Sequence, residues 1–79
     1  MSLILTIVSP EKTLYQGEAE AIIVPGTKGR FEVLPNHAPI ISTLQQGQIV
    51  YRASGEHTLD IKGGFIEVAH NKVSVCVEV

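Results

Sequence analysis

One cysteine, Cys76, stands alone among 79 residues, so no intrachain disulfide can supplement the core. Its place in an apolar run reads as a buried free thiol rather than a nucleophile. A chain without disulfides suits the cytosol. Tryptophan is missing and aromatics make up 5% of the residues, while 6 Lys and Arg stand against 8 Asp and Glu, a net charge of −2. That excludes a basic, aromatic-studded face for nucleic acid. No apolar run approaches the ~18 residues of a membrane span, and the opening LILTIV lacks the basic flank of a signal peptide. Metal-ligand spacings are also missing: no H-x-H, H-x-x-x-H or C-x-x-C occurs, and His57 and His70 lie beside turns. Ser9, Ser42, Thr43 and Ser54 have no G-x-S-x-G context. GTKGRFE (residues 26–32) lacks phosphate-loop spacing and leads into a strand, so it reads as a hairpin tip. No catalytic group, metal or cofactor is expected.

What remains is β-structure. Val73, Val75, Val77 and Val79 alternate with Lys72, Ser74, Cys76 and Glu78; Leu59 and Ile61 oppose Thr58, Asp60 and Lys62; Ile49, Tyr51 and Ala53 oppose Gln48, Val50 and Arg52. Residues 3–8 are apolar on nearly both faces, which predicts a central strand. Residues 18–24 read as one strand that enters the core at AIIV. Turn signals fall at Ser9-Pro10, Gln16-Gly17, Pro25-Gly26, residues 53–56 and residues 70–72. Pro25-Gly26 fits a type II turn. Gly63-Gly64 suits a two-residue hairpin or a kink between sheets, and the kink is favoured. The pattern predicts one all-β domain over residues 1–79, a small sandwich or flattened barrel of about eight to ten short strands without substantial helix. Burial worth about 115 kcal/mol nearly cancels an ordering cost of about 120 kcal/mol. Such a domain needs an efficient core or a partner.

The most rigid stretch is FEVLPNHAPIIST, residues 31–43, where Pro35 and Pro39 bracket Asn36 and His37. Proline fixes φ, lacks a donor and biases its predecessor towards extended backbone, so this is an ordered corner. Three roles compete for His37: a base, a metal ligand, or part of a rigid docking surface. A carrier module of lipoyl type is the rival to a docking domain, with Lys62 in DIKGG as its candidate lysine. Ile61 before the lysine departs from the D-K or M-K-M dipeptides of such carriers.

GTKGRFEVLPNHAPIISTLQQG, followed by KGGFIEVAHNKVSV, resembles the N-terminal β-sandwich of the ε subunit family of F-type ATP synthases. The matching positions are Gly26, Gly29, Phe31, Val33, Leu34, Pro35, His37, Ala38, Pro39, Ile40, Ser42, Leu44 and Gly47, then Gly63, Gly64, Phe65, Glu67, Val68, Val73, Ser74 and Val75. The opening LTIVSPEKTLYQGEAEAIIVPG is similar in kind to the family's first hairpin, so the resemblance covers essentially the whole chain. Glu32 departs from the family's usual glycine and should adopt ordinary β backbone, since a positive φ there would cost about 1–2 kcal/mol. The family continues beyond Val79 into a helical hairpin, which inhibits hydrolysis and in some members binds ATP. This sequence stops at Val79, and its opening Met1 favours the expectation of a naturally short form.

The resemblance implies a non-catalytic rotor part at the cytoplasmic face of the bacterial inner membrane. It implies contact with the γ subunit through Ser9, His37, Ala38, Pro39 and Ser42, and with the c-ring through Lys28, Gly29 and Arg30. Pro35, Gly63 and Gly64 would be structural turn residues. No cofactor, metal, nucleotide, nucleic acid or direct membrane insertion is implied.

Overall fold

Alternation of apolar and polar side chains drives strand after strand to bury one face. The computed structural model describes residues 2–79. Among the described residues it contains β1 (Leu3–Val8), β2 (Thr13–Ala19), β3 (Ala21–Gly26), β4 (Gly29–Val33), β5 (Ile40–Leu44), β6 (Gly47–Arg52), β7 (Glu56–Ile61), β8 (Gly63–Ala69) and β9 (Lys72–Glu78), and no helix. Nine strands form one curled sheet in the order β2-β1-β9-β8-β5-β3-β6-β7, with β4 paired to β3. The all-β sandwich-like fold is the one expected.

The inner faces make one core. Leu3, Leu5 and Ile7 of β1 meet Val73, Val75 and Val77 of β9, Ile66 and Val68 of β8, and Ile22, Val24, Val33 and Ile49 from the other half, all nearly inaccessible. No side chain in this core carries a charge, so the burial has no polar desolvation to offset. β1 and β9 pair in parallel, Ile4 with Lys72 through Val8 with Cys76. β1 is central, as expected, but single-faced: Ile4 is 47% exposed.

The ends of the sheet meet through side chains. Tyr15 of β2 and Tyr51 of β6 approach with ring centroids 4.9 Å apart, and His57 of β7 stacks on Tyr51 at 5.1 Å. Such ring pairs add about 0.5–1.5 kcal/mol beyond area burial. They close the curl where the two ends of the strand order face each other.

Four expectations need correction. Pro25-Gly26 is not a turn: both residues lie in β3, and the turn is Thr27-Lys28, closing Gly26 onto Gly29. Proline is tolerated there because the partner of β3 changes from β6 to β5 at that point, leaving no regular ladder position for its missing donor. Gln16-Gly17 runs within β2, paired with Thr6 and Leu5. Residues 18–24 are two strands, broken at Glu20, whose N–H donates to Arg52 O at 2.8 Å. Cys76 is half-buried rather than buried, because it sits on the outer face of β9, out of phase with the core valines.

The reading of Glu32 holds: it lies in β4 opposite Ile23 without positive φ. Gly63-Gly64 needs correction in part: it closes no hairpin, but the bend falls at Lys62 and both glycines open β8 within the same sheet, where the chain changes partners from β6 to β5 and β9. Gly64, at φ 151°, packs so tightly that a Cβ would collide with the Cys76 carbonyl and stand 2.9 Å from Val77 Cα.

Candidate functional site

The corner between β4 and β5 is narrower than the sequence suggested, covering residues 34–39. His37 N–H donates to Leu34 O at 3.1 Å, with Pro35 second and Asn36 third at φ 69°. Proline followed by a residue of positive φ is the type II arrangement, and asparagine is the best substitute for glycine at that position. The His37 ring closes on its own turn: Nδ1 lies 2.6 Å from Ala38 O. A carbonyl only accepts, so Nδ1 carries the proton of this bond.

Asn71 holds this corner from the far side of the sequence. It occupies the β8–β9 turn with His70, both at positive φ, 52° and 62°. Its Oδ1 accepts from Asn36 N–H at 2.6 Å, its Nδ2 donates to Asn36 Oδ1 at 3.4 Å, and its carbonyl accepts from Ile4 N–H at 2.8 Å. Corner, hairpin and first strand are thereby tied at one residue. Asn36, His37, Ala38 and Pro39 share a recess of about 470 Å³ with His70 and Asn71.

Lys28, Gly29 and Arg30 form the tip and first residues of the β3–β4 hairpin, all exposed. Arg30 Nη1 donates to Gln48 O at 2.7 Å, bracing the tip against β6. Thr27 and Thr43 share a hydroxyl contact of 2.9 Å, and Thr27 N–H donates to Thr43 O at 3.0 Å. These bonds bring Ser42 to the hairpin, where it lines a recess of about 680 Å³ with Lys28 and Arg30. Ser42, grouped by resemblance with His37, therefore sits with the hairpin cations.

Ser9 lies elsewhere. Its hydroxyl and backbone N–H close a small turn on Lys12, and it lines an apolar groove of about 350 Å³ with Pro10, Gly63, Gly64, Phe65 and Cys76. The named residues thus fall in three separate recesses. The sequence reading missed the outer row that links two of them: Thr43, Phe65, Cys76 and Val8 are successive register partners across β5, β8, β9 and β1. Phe65 is 49% and Ile41 75% exposed. The signal was present, since Ile66 and Val68 in the core phase of GGFIEVA force Phe65 outward. The Asn36–Asn71 link had no comparable signal.

Lys62 lies in the bend between β7 and β8, not at a hairpin tip, and its N–H donates to Glu78 O at 2.7 Å. That placement removes the carrier reading. Among the described residues no three potential metal-ligating side chains converge, and no helix is long and apolar enough to cross a membrane.

Comparisons with known proteins agree on one family. The model of the ATP synthase delta/epsilon chain β-sandwich domain matches residues 2–79. The ATP synthase epsilon chain of Leptospira borgpetersenii is 45% identical over 76 residues, covering 94% of this chain and 59% of that relative. That of Desulfitobacterium hafniense is 41% identical over 75 residues, covering 94% and 57%. This chain thus spans less than two thirds of the length of these relatives. A chain in the Euglena gracilis mitochondrial ATP synthase (OSCP/F1/c-ring) superposes with TM-score 0.90 at 22% identity, over 96% of this chain and 50% of that one. One in the Tetrahymena thermophila central stalk/c-ring structure superposes with TM-score 0.84 at 16% identity, over 100% and 65%. Those two likenesses support the fold alone.

Proposed function

This chain belongs to the family of ATP synthase delta/epsilon chain β-sandwich domains, and from that premise we propose that it is a non-catalytic element of the central stalk of a proton-translocating F-type ATP synthase. In this reading it links the γ subunit to the c-ring at the cytoplasmic face of the bacterial inner membrane, without entering the bilayer. It helps couple proton flow to ATP synthesis.

The observation that carries the reading is the corner. His37, Ala38 and Pro39 project from a type II turn fixed by proline, by the His37–Ala38 bond and by the Asn71 clamp. A part that transmits torque must resist deformation, and a surface frozen before docking saves the ordering cost of binding. Lys28 and Arg30, exposed at the hairpin tip, are rim charges that act on association rate and salt sensitivity.

The test is reconstitution of wild-type, His37→Ala and Arg30→Ala chains with γ and the c-ring, followed by complex retention and ATP synthesis at two salt concentrations. His37→Ala should lower γ retention about tenfold, the equivalent of 1.4 kcal/mol. Arg30→Ala should keep the fold and reduce coupling in a salt-dependent way. Wild-type behaviour from both variants would place docking elsewhere on the domain.

A further inference from the structure

We infer that the free edge of β4 takes up an extended strand from the partner at the hairpin, so that docking there is backbone pairing and not only charge contact. The inference rests on the rotor reading for where that partner lies and adds how it is held.

The register fixes which groups are free. The two-residue loop Thr27-Lys28 makes Gly26 and Gly29 the closing hydrogen-bonded pair. Alternation then makes Val24–Phe31 and Ile22–Val33 the bonded pairs, while Pro25–Arg30 and Ile23–Glu32 are non-bonded. Pro25 confirms the phase: its carbonyl accepts from Gln45 N–H at 2.9 Å, on the side away from β4. The backbone N–H and C=O of both Arg30 and Glu32 therefore point outward. β4 has no second neighbour among the described residues, so these groups form a template for an added strand.

The surroundings distinguish this edge from the others. β2 is covered at Tyr15 by Tyr51. The exposed side chains of β7, Glu56, His57, Thr58 and Asp60, are polar or charged. Beside β4 lies the recess of about 680 Å³ to which Phe31, Ile40 and Ile41 contribute apolar surface. Strand addition draws affinity from the backbone and selectivity from such side-chain sites. Lys28 has no carboxylate partner among the described residues. The occupant is accordingly an extended segment of a partner protein that places an apolar residue in the recess and an acidic one opposite Lys28.

Proline at position 32 tests this directly. Glu32→Pro removes only an outward N–H, the edge placement that strands tolerate, whereas Glu32→Ala removes the carboxylate and keeps the donor. Each chain is assembled with γ and the c-ring, and retention is compared at matched thermal stability. Glu32→Pro should cut retention about tenfold and Glu32→Ala less than about twofold. Hydrogen exchange of the wild-type chain gives a second measurement that needs no variant: the Arg30 and Glu32 amides should exchange freely alone and become protected in the complex. Undiminished binding by a folded Glu32→Pro chain, or amides left unprotected, would overturn strand addition and leave the rotor reading standing. Failure of the wild-type chain to bind either partner would overturn both. Self-association of the chain alone, lost in Glu32→Pro, would assign the edge to a second copy and overturn the partner assignment.

Discussion

Asn71→Gly isolates the clamp on the corner. Glycine accepts the positive φ of 62° at this turn, so the hairpin keeps its shape and the Ile4 N–H bond to the residue 71 carbonyl survives. What disappears is the Oδ1 acceptor, 2.6 Å from Asn36 N–H, and the longer Nδ2 contact at 3.4 Å. Asn36 is exposed, so water can replace the lost partner and the cost stays near the net worth of one hydrogen bond, about 1 kcal/mol. Relief of left-handed strain on replacing asparagine and the larger unfolded-state entropy of glycine are similar in size and opposite in sign. A domain of this size should therefore lose about 4–8 °C in melting temperature. Asn71→Ala loses the same bonds and adds left-handed strain of about 1 kcal/mol, so it should melt lower still. Circular dichroism melts at neutral pH decide the matter, with amide exchange at residues 36–38 reporting the corner itself. An Asn71→Gly chain that melts with wild type, or an alanine variant more stable than the glycine one, would refute the clamp.

Gly64→Ala forces a Cβ against the Cys76 carbonyl and Val77 Cα at a φ of 151°, and should cost about 3 kcal/mol, read as a fall in the urea midpoint. Burial, then the charge on Tyr15, raises the Tyr51 phenol above its ordinary value of 10.0. The fold thus prefers neutral Tyr51, so this contribution is fully present below the unfolded value and is lost as pH rises through the folded one. Melts between about pH 8 and 11 should show that loss in wild type and less of it in Tyr51→Phe. Ile41→Ser, at a side chain 75% exposed, should change stability by less than about 0.5 kcal/mol. It should still weaken retention by the hairpin partner, which a pull-down measures.

Most strands were legible because period two is a local signal: Val73, Val75 and Val77 needed only their own neighbours to reveal the core face of β9. Turns were less legible because the same dipeptide chemistry serves several contexts. Proline followed by a residue able to take positive φ was assigned to Pro25-Gly26, yet it operates at Pro35-Asn36. At Pro25 the switch of partner from β6 to β5 decides the outcome, and that is a long-range fact. Cys76 was misplaced for a related reason, since an apolar neighbourhood along the chain does not tell which face a residue takes. Of the site, the corner and hairpin tip were visible as motifs. The outward phase of Phe65 was readable from Ile66 and Val68, but its alignment with Thr43, Cys76 and Val8, like the Asn36–Asn71 clamp, joins segments distant in sequence and emerged only with the register.

Parallel pairing of β1 with β9 also governs how the domain is made. The first strand synthesised finds its central neighbour only when the last one has been released. β1 and β2 can form early, but one side of LILTIV then stays open until β9 arrives between β1 and β8. Pairing across nearly the whole chain is slow, in the range of milliseconds to seconds for all-β domains. During that interval an apolar strand with an open edge is exposed to other nascent chains. Synthesis of this domain is therefore a race between release of its final strand and capture of its first.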